Sequence, residues 1–293
     1  EEEDITGGYL LSIYYEPQDF KEPENTIFET EYSKVKLINE NPYFEAGDLT
    51  SGQKVQQEYI RDYVNKIDDI IMNGDLGNEK THNELGKLLD LKSTADFYLI
   101  QEFFVNFDGY KTSSNYLYKK ENDKLYWGPL WDFDLMLYLL DAEIPNQVVG
   151  FNKVQNFPWL DKLRSTDPYF VELLKEEWNV LDEKINLLIQ DNGVLDSYKE
   201  SIRNSWNKNY ELYKQTIYFD NETDIDKEFS YMVTIIKNRK KWFNENIDKI
   251  GKVYSSVLFV VDDEVVEERT QYTYDIMEPC DIKLKKDGYL FNG

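Results

Sequence analysis

The chain has 293 residues, of which 41% are hydrophobic and 15% aromatic, enough for a packed core, and its 57 acidic against 33 basic residues give a formal net charge of −24. The excess of acidic residues argues against nucleic acid as a partner. The single cysteine, Cys280, excludes an internal disulfide and a thiolate metal site. The single histidine, His82, argues against a Ser-His-Asp triad. No apolar run reaches the roughly 20 residues that span a bilayer, so no membrane span is predicted. Of the kinds of chemistry considered, the composition leaves catalysis by carboxylates with a divalent metal.

The first predicted elements are two strands and a long helix. Residues 7–15 are rich in strand formers and predict a strand. Because the sequence opens directly on this strand, we expect the chain to be part of a longer protein whose N-terminal part is missing. Weak alternation over residues 25–38 predicts a second strand. Apolar residues spaced three and four apart then predict a helix from Ser51, as its N-cap, to about Met72.

A polar loop, a short apolar helix and a hairpin are predicted next. His82 lies in the loop and is expected to be solvated. Ser93 begins a capping-box pattern for a helix that continues to Phe107. Residues 115–119 and 124–130 are typical of two strands joined by a tight turn, which predicts a β-hairpin.

The C-terminal half is predicted to be helical and then to change to strand. Asp167 precedes a proline and predicts an N-cap; three helices of about twenty residues follow from the apolar spacing, the third opened by Thr223. After residue 250 the period becomes that of strands. We therefore assign residues 1–250 to one domain and residues 251–293 to a small β module.

One segment carries the residues best suited to chemistry. Asp108 follows the short helix, Asn115 begins the hairpin, and Asp132 and Asp134 stand where its second strand ends. Residues two apart on an extended segment point the same way, so Asp132 and Asp134 are expected to face one site. A tight hairpin is expected to bring Asn115 to Asp132. The order of these residues matches the catalytic core of protein kinases, where an Asp is the base and an Asn and a second Asp serve the metal.

A structural role for the same residues stays open at this point. An Asp after a helix or at a strand end commonly bonds its own backbone as a cap or turn residue. Trp127 and Trp131, which flank the hairpin end, fit a core better than a stacking platform.

Several stretches resemble a known family. In chain order they are Gly7-Gly8-Tyr9-Leu10-Leu11, Asn106-x-Asp108-Gly109, Ser114 with Tyr116-Leu117-Tyr118-Lys119, Gly128-Pro129-x-Trp131-Asp132-Phe133-Asp134, and Arg239-x-x-Trp242. Over residues 7–248 they resemble the CotH kinase family, the spore-coat CotH-like atypical protein kinases. The resemblance implies an α+β fold, an atypical protein-kinase-like domain of a small sheet plus a helical lobe, here followed by the small β module.

The resemblance also implies an activity and a set of site residues. It implies an atypical protein kinase that uses ATP with Mg²⁺ or Mn²⁺ and transfers the γ-phosphate to Ser or Thr of a coat or surface protein. The family's catalytic and metal-binding carboxylates map onto Asp108 and onto Asp132 or Asp134. We predict Asp108 as the catalytic base, Asp132 and Asp134 as metal ligands, and Lys111, Asn115 and Trp131 as cofactor-binding residues.

Departures from the family pattern keep other functions open. Ser12 stands where the family has Glu, and residues 35–40 match the family's Lys-x-Pro-Glu element only poorly. The alternative is a non-catalytic cell-surface, adhesion or scaffolding module with a degenerate kinase-like fold. A metal-dependent phosphohydrolase is a third option, because clustered carboxylates also suit metal-activated water.

The tail resembles a second family. Val260-Val261-Asp262, Pro279 and Gly288-Tyr289-x-Phe291 are similar to the internalin-type B-repeat, a small β module of Gram-positive surface proteins. The resemblance implies a partial repeat, possible cell-wall association, and a bacterial protein that is extracellular, on the cell surface or in the spore coat.

Overall fold

The computed structural model of the chain describes residues 5–14, 27–38, 49–106, 109, 114–133, 136, 158–213, 224–251, 254–261 and 264–272. The chain divides into two compact units, Glu1–Gly251 and Lys252–Gly293. Within the described ranges, no helix combines the length and the apolar character that crossing a bilayer requires.

A five-stranded antiparallel sheet forms one part of the first unit. Its strands are β1 (Tyr9–Tyr14), β2 (Ile27–Glu29), β3 (Lys34–Leu37), β4 (Leu117–Lys119) and β5 (Leu125–Trp127), in the order β2-β3-β1-β4-β5. The central β1 pairs with β3 and β4, so that Leu11 is opposite both Leu37 and Leu117. The single strand predicted over residues 25–38 is wrong in part: it is two strands, because Thr30 and Ser33 bond each other and turn the chain between them.

Helices make up the other part of this unit. Those within the described residues are α1 (Ser51–Asn73), α2 (Glu79–Leu85), α3 (Leu91–Phe104), α4 (Pro158–Thr166), α5 (Pro168–Ile189), α6 (Val194–Tyr213) and α7 (Ile225–Asn246), followed by a 3₁₀ turn at Ile247–Lys249. The predicted α+β architecture, a small sheet with a helical lobe, is confirmed.

Two predicted helix starts are displaced by a few residues. Thr50, and not Ser51, is the N-cap of α1: its side chain accepts from the Gln53 amide, and the Gln53 side chain accepts from the Thr50 amide at 2.8 Å. This reciprocal pair decides between two adjacent residues that both favour caps. For α3 the N-cap is Asp90, whose carboxylate accepts from the amide of Ser93 at 2.8 Å, so Ser93 lies inside the helix.

The later helix starts follow the sequence more closely. Asp167 caps α5 by accepting from the amide of Phe170 at 2.9 Å, with Pro168 at the first helical position, so this prediction is confirmed. The N-cap of α7 is Asp224, which accepts from the Asp226 amide at 3.0 Å. Thr223, predicted to open this helix, lies outside the described residues.

His82 does not occupy a solvated loop. It lies in α2, which Asn78 caps, and its Nδ1 is 2.8 Å from Oδ2 of the fully buried Asp167. The prediction is wrong because its partner is 85 residues away along the chain. The pair joins α2 to the N-cap of α5.

The core is continuous between the sheet and the helices. Leu11 on β1 is fully buried, Trp159 of α4 meets Trp127 of β5 edge to face at 6.5 Å, and Trp178 of α5 lies 5.7 Å from Phe103 of α3. Full burial of a side chain such as that of Leu11 or Phe103 contributes about 1.5–3 kcal/mol. These contacts hold α3 and the β4–β5 hairpin in one packed body.

A buried carboxylate links the sheet to this core. Asp68 of α1 is 1% exposed and accepts hydrogen bonds from Ser33 at 2.9 Å, from Thr30 and from the indole of Trp159. Burial raises the pKa of the Asp68 carboxyl above its ordinary value, against the lowering effect of these three donors. The carboxylate thus fixes the β2–β3 turn against α1 and α4.

Replacing Asp68 with asparagine is expected to lower the free energy of unfolding by about 1–3 kcal/mol, because an amide NH₂ then faces a donor and leaves it unpaired. Chemical denaturation measures this change. The control is Asp69→Asn on the exposed side of the same helix, which removes the same charge and is expected to change stability by less than about 0.5 kcal/mol. Equal effects at both positions would contradict the linking role.

The second unit contains a hairpin. Strands β6 (Tyr254–Val261) and β7 (Glu264–Tyr272) pair antiparallel, with a register shift between Phe259 and Val260. The strands predicted after residue 250 are present. Pro279 and Gly288, which carry part of the B-repeat resemblance, lie outside the described residues.

Candidate active site

The β4–β5 hairpin places part of the predicted site. Asn115, Trp131 and Asp132 are described, whereas Asp108, Lys111 and Asp134 lie outside the described residues. Leu117 pairs with Trp127, and the amide of Gly128 donates to the carbonyl of Tyr116 at 2.8 Å. Pairing therefore continues past the strands and keeps the two flanking segments side by side.

The contact at the open end of the hairpin is made by Ser114. Its hydroxyl donates to Oδ2 of Asp132 at 2.8 Å, and Ser114 is 3% exposed whereas Asp132 lies at the surface. The expected contact between Asn115 and Asp132 is wrong by one residue, because neighbouring side chains on an extended segment point to opposite sides. Ser114 lies in one of the stretches that resemble the CotH family, but no local pattern in the sequence predicts its contact with Asp132.

Asn115 instead joins the hairpin to the central strand. Its Oδ1 accepts from the Ser12 hydroxyl at 3.2 Å and from the Ile13 amide at 2.9 Å, and the side chain is 1% exposed. Ser12, which departs from the family pattern, is fully buried in this contact. The pair fixes β1 beside the segment that carries Ser114. The predicted role of Asn115 toward a cofactor stays a prediction.

The backbone at Asp132 is not extended. Its φ is +62°, in the left-handed region, which Asp adopts more readily than most residues. The alternation argument that predicted a shared direction for Asp132 and Asp134 therefore does not hold at Asp132. The turned backbone presents the Asp132 carboxylate to solvent at the end of the hairpin, with one oxygen oriented by Ser114.

The two tryptophans near the hairpin end differ in burial. Trp127 is 5% exposed and stacks on Phe97 at 4.4 Å, so its predicted core role is confirmed. Trp131 is 60% exposed, so the core expectation is wrong for this residue. With Leu130, which is 43% exposed, Trp131 forms an apolar surface directly before Asp132.

The end of α3 precedes the predicted base Asp108 in the chain. The helix ends at Phe104, earlier than predicted, and Val105 follows in the left-handed region with φ +49°. Asn106 and Gln101 are fully buried, and a Cβ on Gly109 would lie 2.4 Å from the amide of Gln101. Only glycine therefore fits at position 109 without moving a buried side chain.

The charge of Asp132 affects the pKa of a neighbouring side chain. Burial, and then the negative charge of Asp132, raise the pKa of the Tyr116 phenol. Within the described residues, no three Asp, Glu, His or Cys side chains gather closely enough to hold a metal ion. The exposed, hard-oxygen carboxylate of Asp132 does fit Mg²⁺ or Mn²⁺ chemistry, and the remaining predicted acids lie outside the described ranges.

Replacing Ser114 with alanine is expected to weaken Mn²⁺ binding by about 10-fold, because Asp132 loses the partner that orients it. Isothermal titration calorimetry with Mn²⁺ measures the affinity. Ser201→Ala, which removes an exposed hydroxyl from α6, is expected to leave it unchanged. An unaltered affinity in the Ser114 variant would show that this hydrogen bond does not serve a metal site.

Comparison with known protein families finds a match over most of the chain. A family model described as CotH kinase protein matches residues 6–243, which is well over half of the chain. No curated protein and no solved structure matches. The matched range includes the sheet, the hairpin, the end of α3 and most of the helical lobe.

Proposed function

The chain belongs to the CotH kinase family, and on this premise we propose that it is an atypical protein kinase that transfers the γ-phosphate of ATP to a Ser or Thr hydroxyl of another protein. The observation that supports the proposal is the hairpin end, where Asp132 is exposed and oriented by Ser114. In chain order this carboxylate follows the two strands, as the metal-binding carboxylate of protein kinases does.

The carboxylates have separate roles in this proposal. Asp132 and Asp134 would hold Mg²⁺ or Mn²⁺, which neutralises charge on the phosphate oxygens when bound. Asp132 is the primary ligand because Ser114 holds one of its oxygens and thereby fixes the direction of the carboxylate.

Asp108 serves as the base. Its carboxylate accepts the proton of the acceptor hydroxyl while that oxygen bonds to the γ-phosphorus. The bond from the γ-phosphorus to the bridging oxygen breaks in the same displacement, so the electron pair and the charge leave with ADP.

The cofactor-binding residues act beside these acids. Trp131 offers an exposed indole next to Asp132 for the nucleotide, and Lys111 offers a cation for its phosphates. Asn115 contributes by tying the hairpin to β1, since its side-chain oxygen already accepts two hydrogen bonds.

The acceptor is proposed to be a spore-coat or cell-surface protein, and the chain to be extracellular, on the surface or in the coat of a Gram-positive bacterium. Residues 252–293 are proposed as a partial B-repeat with cell-wall association on sequence resemblance alone, because the family match ends at residue 243.

A non-catalytic scaffold is the second candidate, and Ser12 is the observation that favours it. Where the family carries a carboxylate, this chain has a neutral hydroxyl, buried against Asn115. A kinase-like fold that had lost a required acid would keep the packing and lose turnover.

One experiment separates the candidates. The chain is incubated with γ-labelled ATP, Mg²⁺ or Mn²⁺, and casein as a generic Ser/Thr acceptor. Labelled casein or self-labelled chain supports the kinase, and release of labelled phosphate without protein labelling indicates a phosphohydrolase. Absence of turnover, together with absence of ATP–Mn²⁺ binding by calorimetry, indicates the scaffold.

A further inference from the structure

A buried arginine from α7 holds the end of α3. The side chain of Arg239 is fully buried; its Nη2 donates to the carbonyl of Glu102 at 2.7 Å, and its Nε donates to the carbonyl of Phe103 at 3.2 Å. These carbonyls lie 137 and 136 residues away along the chain. A cation at the C-terminal turn also faces the negative end of the helix dipole.

The two carbonyls are those that a continuing helix would use. In an α-helix they would accept from the amides of residues 106 and 107. Here the Asn106 amide donates to the carbonyl of Gln101 at 3.1 Å instead, and Val105 adopts φ +49°, a conformation that β-branched residues rarely take. The Arg239 guanidinium therefore adds a donor to each of these carbonyls, of which that of Glu102 also accepts from the Val105 amide at 3.4 Å, and it stabilises the turn at Val105.

The guanidinium is itself fixed by aromatic rings. Its central carbon lies 4.7 Å from the ring centre of Trp242 and 4.4 Å from that of Phe243, distances typical of cation–π contacts. Phe243 also meets Phe103 edge to face at 5.4 Å. The end of α3 is thus attached to α7 by hydrogen bonds and by ring packing together.

We propose that Arg239 is a positioning residue for the candidate active site: it sets where α3 ends and so where the chain toward Asp108 begins. Asp108 comes two residues after Asn106 in the sequence. The effect of Arg239 on turnover rests on the proposed kinase function, whereas its effect on the end of α3 does not.

The chain offers a matched control in Arg164. This second buried arginine is 1% exposed and donates to the carbonyl of Ile250 at 3.0 Å, at the far end of the first unit's sequence. Lysine at either position keeps the charge but loses the planar fork. Arg239→Lys and Arg164→Lys should therefore lower overall stability alike, and differ only in what happens at the end of α3.

Hydrogen exchange of the full 293-residue chain tests the structural half without requiring activity. Arg239→Lys is expected to speed exchange of the Val105 and Asn106 amides at least about tenfold relative to the rest of α3, and Arg164→Lys to leave that ratio unchanged. Unchanged relative exchange in the Arg239 variant would overturn the proposal. If Arg239→Lys does not fold, Trp242→Leu, which removes one of the two rings against the guanidinium together with its edge-to-face contact with Phe243, is expected to give the same local change.

Kinetics test the functional half. Once transfer by the wild type is established, Arg239→Lys is expected to lower kcat at least about tenfold and to leave the KM for ATP within about twofold of the wild-type value. The reason is that the substitution displaces the base without affecting nucleotide binding. Equal kcat losses in the Arg239 and Arg164 variants would reduce Arg239 to a structural residue and refute the functional half. A wild-type chain without transfer would refute the proposed kinase and this half with it, whereas amide exchange would still decide the structural half.

Discussion

Replacing Asp108 with asparagine is expected to slow phosphate transfer by about 10²–10⁴-fold, because the amide cannot accept the proton that the acceptor hydroxyl must lose. The substitution keeps the size of the side chain, so the fold and the affinity for ATP–Mn²⁺ are expected to persist. Initial rates with labelled ATP, combined with calorimetry of nucleotide binding, separate the loss of the base from a loss of binding.

The control for this change is Asp62→Asn on the exposed face of α1. It removes one negative charge from a chain of net charge −24 without touching the candidate site, and is expected to leave the rate unchanged. Equal rates for the wild type and the Asp108 variant would show that another group accepts the proton.

Replacing Asp132 with alanine is expected to abolish metal-dependent transfer and to weaken Mn²⁺ binding. Loss of a residue that only orients a metal ligand weakens binding by about 10–100-fold, and the Asp132 variant is expected to lose more than this. The reason is that a direct oxygen ligand is removed, not only its support. Calorimetric titration with Mn²⁺ of the Asp132→Ala and Ser114→Ala variants gives both losses on one scale.

The order of these two losses is the informative result. If Asp132 binds the metal and Ser114 only orients it, the Asp132 variant must show the larger loss. A larger loss in the Ser114 variant, or Mn²⁺ affinity that neither substitution changes, would remove the hairpin end from the metal site.

The sequence predicted the start of a helix correctly where the residues at that position favour a single local structure. Asp167 before a proline gave the start of α5 because both residues act within the first helical turn. The start of α1 was displaced because Thr50 and Ser51 are both good caps, and the side chain of Gln53 decides between them. Such a choice depends on rotamers that periodicity does not contain.

Contacts between distant parts of the chain could not be predicted from the pattern. His82 was predicted to be solvated because no residue near it in the sequence offers a partner, yet its Nδ1 contacts the carboxylate of Asp167. Arg239 was visible only as part of a motif, since the carbonyls it binds belong to another helix. These contacts arise from packing, which places residues together without regard to their separation in the chain.

The candidate site shows the same division. The hairpin and its direction were predicted from two short strands and a turn, and the structure confirms them. Which side chain meets Asp132 depends on the phase of the strand, and a shift of one residue exchanged Asn115 for Ser114. The left-handed backbone of Asp132 had no signature in the sequence, because Asp is common in both extended and turned conformations.

Anomalous scattering from Mn²⁺, in crystals grown with a non-hydrolysable ATP analogue, tests most directly whether separate acids of this chain share one cation. The expected result is a manganese peak about 2.1 Å from a carboxylate oxygen of Asp132, with Asp134 as a further ligand and the Asp108 carboxylate facing the γ-phosphate. A nucleotide-bound manganese that neither Asp132 nor Asp134 contacts would contradict the proposed site.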